Sequence, residues 1–164
     1  MSWALVRVDD RLIHGQVVVA WGAHLRPRRI WVADDAASAD AWERELLGSA
    51  APGVDVRVVP VAEAAAQWAV EAAAPEPSIL LLRDLRAAVA LVEAGAVPAA
   101  LNLGGLHYAP GKEKVADYVY LDDADRALVR RLGAAGVAIE VQDVPATRPQ
   151  ALAGLDPPPG GRGA

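Results

Sequence analysis

The chain contains no cysteine. That excludes disulfides, thiolate chemistry and any cysteine-ligated zinc or iron–sulfur centre. Phenylalanine is also absent, and much of the 54% hydrophobic fraction is alanine. Leu, Val, Ile and five tryptophans must therefore fill a core. Long apolar runs are missing too. Val17–Trp21 and Ile79–Leu82 fall far short of the roughly 20 residues that span a bilayer. The opening MSWALVRVDDRLIHG reaches charge at Arg7, so it has no secretory apolar region. The expectation is a soluble cytoplasmic protein with no membrane insertion of its own. Lysine is scarce, with two against fourteen arginines, and the net charge is −5. That balance argues against a phosphate-backbone binder, so no nucleic-acid partner is expected. No histidine pair has ligand spacing, so no metal is expected.

What is present is enough chain for one domain: 164 residues, 23% of them charged, rule out global disorder. Short apolar runs alternate with longer alanine-rich stretches. Trp3–Val8, Arg29–Ala33, Val54–Val59, Ser78–Leu82, Ala99–Leu103, Tyr118–Leu121 and Val137–Val144 read as strands. Most are apolar throughout, as strands covered on both faces are. Helical patterns fall at about 16–26, 37–50, 61–72, 84–94 and 123–135. Ser38 and Asp84 are candidate N-caps, and Gly133 and Gly136 candidate stops. The fold class is α/β: an open, mostly parallel sheet of six to seven strands with helices on both faces. The domain is expected over 1–150. Residues 151–164, ending DPPPGGRGA, are expected as a flexible tail.

In such folds ligands sit beyond the carboxyl ends of strands. Three loops there stand out: Asp9–Gly15, Asp34–Asp35 and Asn102–Gly105. The first runs Asp-Asp-Arg-Leu-Ile-His-Gly-Gln into a helical pattern. His14 thus sits between a strand and a helix start, where free backbone N–H groups and the dipole favour anions. Arg11 adds a guanidinium. An imidazole beside such donors can take and release a phosphoryl group, its nitrogen attacking phosphorus while the donors hold the equatorial oxygens. Asp9 or Asp10 can orient the loop or anchor Arg11. His24 reads as solvated, and His107, after Gly104-Gly105, as a lining residue of the same cleft. Asp34 and Asp35 read as caps. Trp21, Trp31, Trp42 and Trp68 read as packing. Arg26, Arg28 and Arg29 read as a solvated face, with a docking patch for an acidic partner as the alternative.

The stretch RVDDRLIHGQVVVAWG resembles the opening of the IIB components of the mannose–fructose–sorbose family of the bacterial phosphotransferase system, with its Arg-Ile-Asp-Asp-Arg-Leu-Ile-His-Gly-Gln-Val. Ile30–Asp35, Leu46–Val58, Glu93–Pro98, Leu101–Leu106 and Gly136–Val141 continue the likeness over about residues 2–145. The resemblance implies a phosphotransferase component. His14 would accept a phosphoryl group through Nδ1 from a phosphohistidine of the partner IIA. It would pass the group to a sugar bound in the membrane IIC–IID complex. Arg11 matches the arginine near the phosphate, and Asp10 an aspartate that shapes the site. Gly15 and Gln16 belong to the same motif, and Asn102 and Gly104 match a loop beside it. No cofactor is implied beyond the covalent phosphohistidine. The place of action would be the cytoplasm, at the inner membrane through the permease. A homodimer is left open.

The chain departs from that pattern after its last strand. The family continues into a helix, whereas Ala146–Leu155 is rich in Pro and Ala, so the last helix is expected short or absent. Arg83-Asp84 also replaces aromatic and polar residues. Two other functions compete with transport. One is a regulatory phospho-acceptor whose state on His14 controls a partner. The other is a small-molecule-binding α/β domain without phosphoryl chemistry.

Overall fold

The structure is a computed structural model that describes residues 2–158. Strands β1 (Trp3–Asp9), β2 (Arg29–Ala33), β3 (Asp55–Val59), β4 (Ser78–Leu82), β5 (Ala100–Gly105), β8 (Ala138–Val141) and β9 (Gln150–Ala151) form one sheet in the order β3-β2-β4-β1-β5-β8-β9. All its pairings are parallel except β8–β9. β6 (Glu113–Ala116) and β7 (Val119–Leu121) form a separate antiparallel hairpin. The expected count of six to seven strands therefore holds with different membership. The strand foreseen at Tyr118–Leu121 lies outside the main sheet, and β9 takes the seventh place.

Helices cover both faces, as the doubly apolar strands require. On one face lie a helical segment at Gln16–Trp21, α1 (Gly22–Leu25), α2 (Asp35–Ala39) and α3 (Ala41–Gly48). Their apolar side chains cluster with Leu5, Ile30, Val32, Ile79 and Leu81. On the other lie α4 (Val61–Ala73), α5 (Leu85–Glu93), α6 (Asp123–Ala134) and α7 (Leu152–Leu155), over Val6, Val8, Leu80, Leu82, Leu101 and Leu103. Successive strand residues thus alternate between two cores.

Local chemistry explains the element ends. Asp84 caps α5, its carboxylate accepting from Ala87 N–H, and Gly95 follows the helix at φ +97°. The single helix expected at 37–50 is two helices. Asp34 accepts from Ala37 N–H and starts α2; Asp40, in extended backbone, accepts from Glu43 N–H and starts α3. Ser38 lies inside α2 and caps nothing, because Asp34 already occupies the capping position. Gly136 stops α6 at φ +91°, while Gly133 lies within the helix.

Two further expectations are corrected. Residues 151–156 are not a free tail. Ala151 pairs with Glu140, Leu152 is 3% exposed, and Asp156 accepts from Arg126 at 2.8 Å. Proline and alanine misled because one apolar anchor and one ion pair suffice to dock a single turn. The last helix is short, as expected; residues 159–164 of the foreseen tail lie outside the described residues. Trp42, read as packing, is 76% exposed on α3. Trp21 and Trp31 are buried, and Trp68 packs partly buried against Trp3.

The topology points to one place. The connection leaving β1 runs leftward to β2, and that leaving β5 runs rightward to β8. Between β1 and β5 the winding therefore reverses, leaving a crevice at their carboxyl ends.

Candidate functional site

That crevice holds the Asp9–Gly15 loop. Strand alternation puts Leu5, Arg7 and Asp9 of β1 on the face of the Gln16–Leu25 helical segment, and Asn102 and Gly104 of β5 beside them. Asp9 is fully buried and gathers the site. Its Oδ1 accepts from Arg11 N–H at 3.1 Å and from Arg11 Nε at 3.1 Å. Its Oδ2 accepts from Arg7 Nη2 at 3.2 Å and Arg11 Nη2 at 3.2 Å, and lies 2.7 Å from His14 Nε2. Burial alone would raise this carboxyl, but the hydrogen bonds from His14 and Arg11 overcome it. Asp9 is held well below the usual carboxylate range.

An ionised carboxylate only accepts, so His14 Nε2 is the donor. In the neutral imidazole the lone pair then lies on Nδ1. The His14 side chain is 15% exposed, and that of Arg11 36%. The loop path is tight. Leu12 N–H donates to Asp9 O at 2.9 Å, and Leu12 adopts a left-handed φ of 56° while only 1% exposed. For a non-glycine residue that conformation costs about 1–2 kcal/mol, offset by burial of its side chain. His14 O accepts from Val18 N–H at 3.0 Å, opening a helix whose first turn, Gln16–Trp21, is π-helical.

Behind Asp9 stands Arg7, fully buried. Its Nη1 donates to Asn102 Oδ1 at 2.7 Å and to Gln142 O at 2.9 Å, and its guanidinium lies 5.7 Å from the Trp21 ring centre. Desolvation lowers its proton affinity, opposed by the adjacent Asp9 charge. Gly104 makes the room: a Cβ there would lie 1.7 Å from Arg7 Cζ. A Cβ at Gly105 would meet Asp9 Oδ1 at 2.8 Å. A cleft of about 260 Å³ opens beside Gly104, lined also by Tyr118, Gln142, Asp143 and Arg148.

Of the residues expected at the site, His14 and Arg11 meet on Asp9, and Gln16 joins them, its Oε1 3.3 Å from Arg11 Nη2. Gly15 opens the helix with free space around it. Asn102 and Gly104 reach the site only through Arg7, Asn102 being 6% exposed. Asp10 does not touch His14. It pairs with His107, Oδ1 to Nδ1 at 2.6 Å. The reason is direction: Asp9, as the last residue of β1, points inward, and Asp10 turns outward beyond it. Arg7 was missed. Its signal was legible: Leu5-x-Arg7-x-Asp9 sets a cation and an anion on a face otherwise apolar, opposite a double glycine. His24 is exposed. Arg28 and Arg29 are engaged internally, with Glu71, Glu76 and Asp55, so they form no free docking patch. Asp34 also binds Arg83, Nε to Oδ2 at 2.9 Å.

Residues 3–155 match the family described as PTS system sorbose subfamily IIB component. The chain belongs to that family. As a IIB component it is 34% identical over 145 residues to the sorbose-specific EIIB component of Klebsiella pneumoniae, covering 88% of each chain. It is 36% identical over 145 residues to the mannose-specific EIIAB component of Escherichia coli K12, with 88% of this chain and 45% of that protein covered. The IIB chain therefore spans less than half the length of that relative. Its fold matches the crystal structure of the IIBSor domain of the Klebsiella pneumoniae sorbose permease. The TM-score is 0.84 at 32% identity, covering 94% of this chain and 96% of that one. The N-acetylgalactosamine-specific IIB component 1 of Escherichia coli gives a TM-score of 0.80 at 31% identity, covering 89% and 96%. Among the described residues, no helix of the IIB chain is long and apolar enough to cross a membrane.

Proposed function

We propose that this IIB chain carries a phosphoryl group on Nδ1 of His14 between a IIA phosphohistidine and a sugar at a IIC–IID permease. The observation that supports this most is the 2.7 Å contact of His14 Nε2 with a buried, ionised Asp9. It holds the proton on Nε2 and leaves the Nδ1 lone pair for attack.

On this reading, the Nδ1 lone pair forms a nitrogen–phosphorus bond as the donor's own such bond breaks. The released electron pair returns to the donor imidazole. The Nε2 proton stays in place, so His14 becomes a phospho-imidazolium whose charge faces Asp9. Arg11, about a third open to solvent and donating to Gln16 Oε1, meets the equatorial oxygens. Backbone N–H groups at the start of the Gln16–Leu25 helical segment add to that charge. In the second transfer a sugar hydroxyl attacks phosphorus and gives up its proton to solvent, as the nitrogen–phosphorus bond breaks and its electron pair returns to Nδ1. The route needs no cofactor. Relatives named for sorbose, mannose and N-acetylgalactosamine support a sugar as final acceptor.

The test is intact-mass spectrometry after incubation with phosphoenolpyruvate, the general phosphotransferase proteins and a IIA. Peptide mapping at neutral pH then locates the acid-labile label. One phosphoryl group on His14 is expected. His14→Ala is expected to remove it with the fold retained, and Arg11→Ala to slow it. Label persisting in the His14→Ala chain overturns the assignment. Absence of label with an active IIA returns the chain to the ligand-binding reading.

A further inference from the structure

We propose that His107 is a positioning residue for phosphoryl transfer, acting through Asp10 to clasp the His14 loop against the end of β5. The proposal rests on the reading that His14 carries the phosphoryl group. Residues 10 and 107 are joined three ways across the crevice. Asp10 N–H donates to Gly105 O at 2.9 Å, His107 N–H donates to Asp10 Oδ2 at 2.8 Å, and His107 Nδ1 lies 2.6 Å from Asp10 Oδ1. Both carboxylate oxygens of Asp10 are thereby engaged by one residue.

The two adjacent aspartates divide the work. Asp9 grips the His14 ring from inside, at Nε2. A single hydrogen bond lets the ring pivot, so the direction of Nδ1 also depends on the loop backbone. Four residues, 10 to 13, connect the end of β1 to His14. Leu12 and Ile13 are fastened by burial, and Arg11 is held by Asp9. Asp10 is the remaining link, and the His107 ring holds it on the solvent side, at 43% exposure against 34% for Asp10. Without the ring, the Asp10 carboxylate keeps only a backbone N–H partner. It then competes with Asp9 for the neighbouring Arg11 guanidinium, drawing that cation from the phosphoryl oxygens. Misplacement of a reacting group by about 1 Å can cost on the order of 100-fold in rate.

The experiment uses the full chain and phosphoramidate as phosphoryl donor, so that no protein partner enters. His14 Nδ1 forms the new nitrogen–phosphorus bond, and ammonia leaves with the electron pair of the old one. Labelling is followed by intact mass over a range of phosphoramidate concentrations. His107→Ala is expected to lower the maximal rate about 10-fold, with the half-saturating concentration within about twofold of wild type. His107→Asn, whose amide N–H can stand where Nδ1 stands, is expected to restore the rate to within about threefold; His107→Leu is not. Asp10→Ala is expected to match His107→Ala, and the double variant to be no slower than either, as for two members of one interaction. Leu12 N–H is expected to exchange faster in His107→Ala. Wild-type label with an unchanged His107→Ala rate, or additive losses in the double variant, overturns the clasp alone. A wild-type chain that takes no label on His14 overturns the phosphohistidine reading and the clasp with it.

Discussion

Gly104 and Gly15 lie in the same crevice and answer to different constraints. A methyl at Gly104 would enter the Arg7 guanidinium, so Gly104→Ala is expected to cost about 1–3 kcal/mol and to slow labelling of His14 by displacing the group that braces Asp9. Gly15 has a helical φ of −51° and no atom near its absent Cβ, so Gly15→Ala is expected within about 1 kcal/mol of wild type. Chemical denaturation of both variants separates the cases. Asp9 yields a pH prediction. Its folded carboxyl titrates well below the unfolded value of about 3.9. Its contribution is therefore complete above that value and lost as pH falls toward the folded one. Asp9→Asn leaves Arg7 buried without its counter-charge and is expected to cost about 3 kcal/mol at pH 7. In urea titrations the gap to wild type should narrow as pH drops below about 4. A gap that is constant from pH 7 to pH 3 would contradict the ionised, paired Asp9 on which the tautomer of His14 depends.

Among the elements, α4 shows how a helix is tied to the sheet away from the site. Its Glu71 is 3% exposed and accepts from Arg28, from Arg29 Nη1 at 3.0 Å, from Trp31 Nε1 at 3.1 Å and from Ser78 Oγ at 3.2 Å. These donors come from β2 and the residue before it and from the start of β4, toward the end of the strands opposite the His14 loop. Glu71→Gln leaves two arginines short of charge. Both are partly exposed, so the loss is expected below that of a fully buried pair, about 2–3 kcal/mol, or about 5–10 °C in Tm. The rate of His14 labelling should be unchanged, because no group of this cluster reaches the crevice. Thermal melts and the labelling assay together check both halves. The same elements show what local reading misses: one alanine-rich stretch became α2 and α3 because two aspartates six residues apart each satisfied a set of free N–H groups.

At the scale of the whole molecule, the end of the chain closes the sheet. β9 covers the edge at β8, and α7 sets Leu152 into the core shared by α4, α5 and α6. Leu152→Ala is expected to cost about 2–4 kcal/mol, measured by denaturation. A value under about 0.5 kcal/mol would show that residues 150–155 are not part of the cooperative unit. Gln142, which precedes this segment, supplies the carbonyl that holds Arg7. The carboxyl-terminal docking and the His14 site therefore share a strand end.

The sequence by itself determined the class of fold, the carboxyl ends of the strands as the place of the candidate site, and the loop with His14 and Arg11. These are written in short-range signals: apolar runs of strand length, capping aspartates, and a motif of contiguous residues. Only the tertiary structure decided which aspartate serves the histidine. Asp9 and Asp10 are neighbours of identical chemistry, and the choice between them is the direction each side chain takes at a strand end. It also decided that Asn102 and Gly104 act on Arg7, and that His107 grips Asp10 across 97 positions. The same holds for the docking of residues 150–156. Such contacts join residues far apart in the chain, and composition and periodicity carry no record of them. They arise when the winding of the sheet reverses between β1 and β5 and brings two strand ends to one crevice.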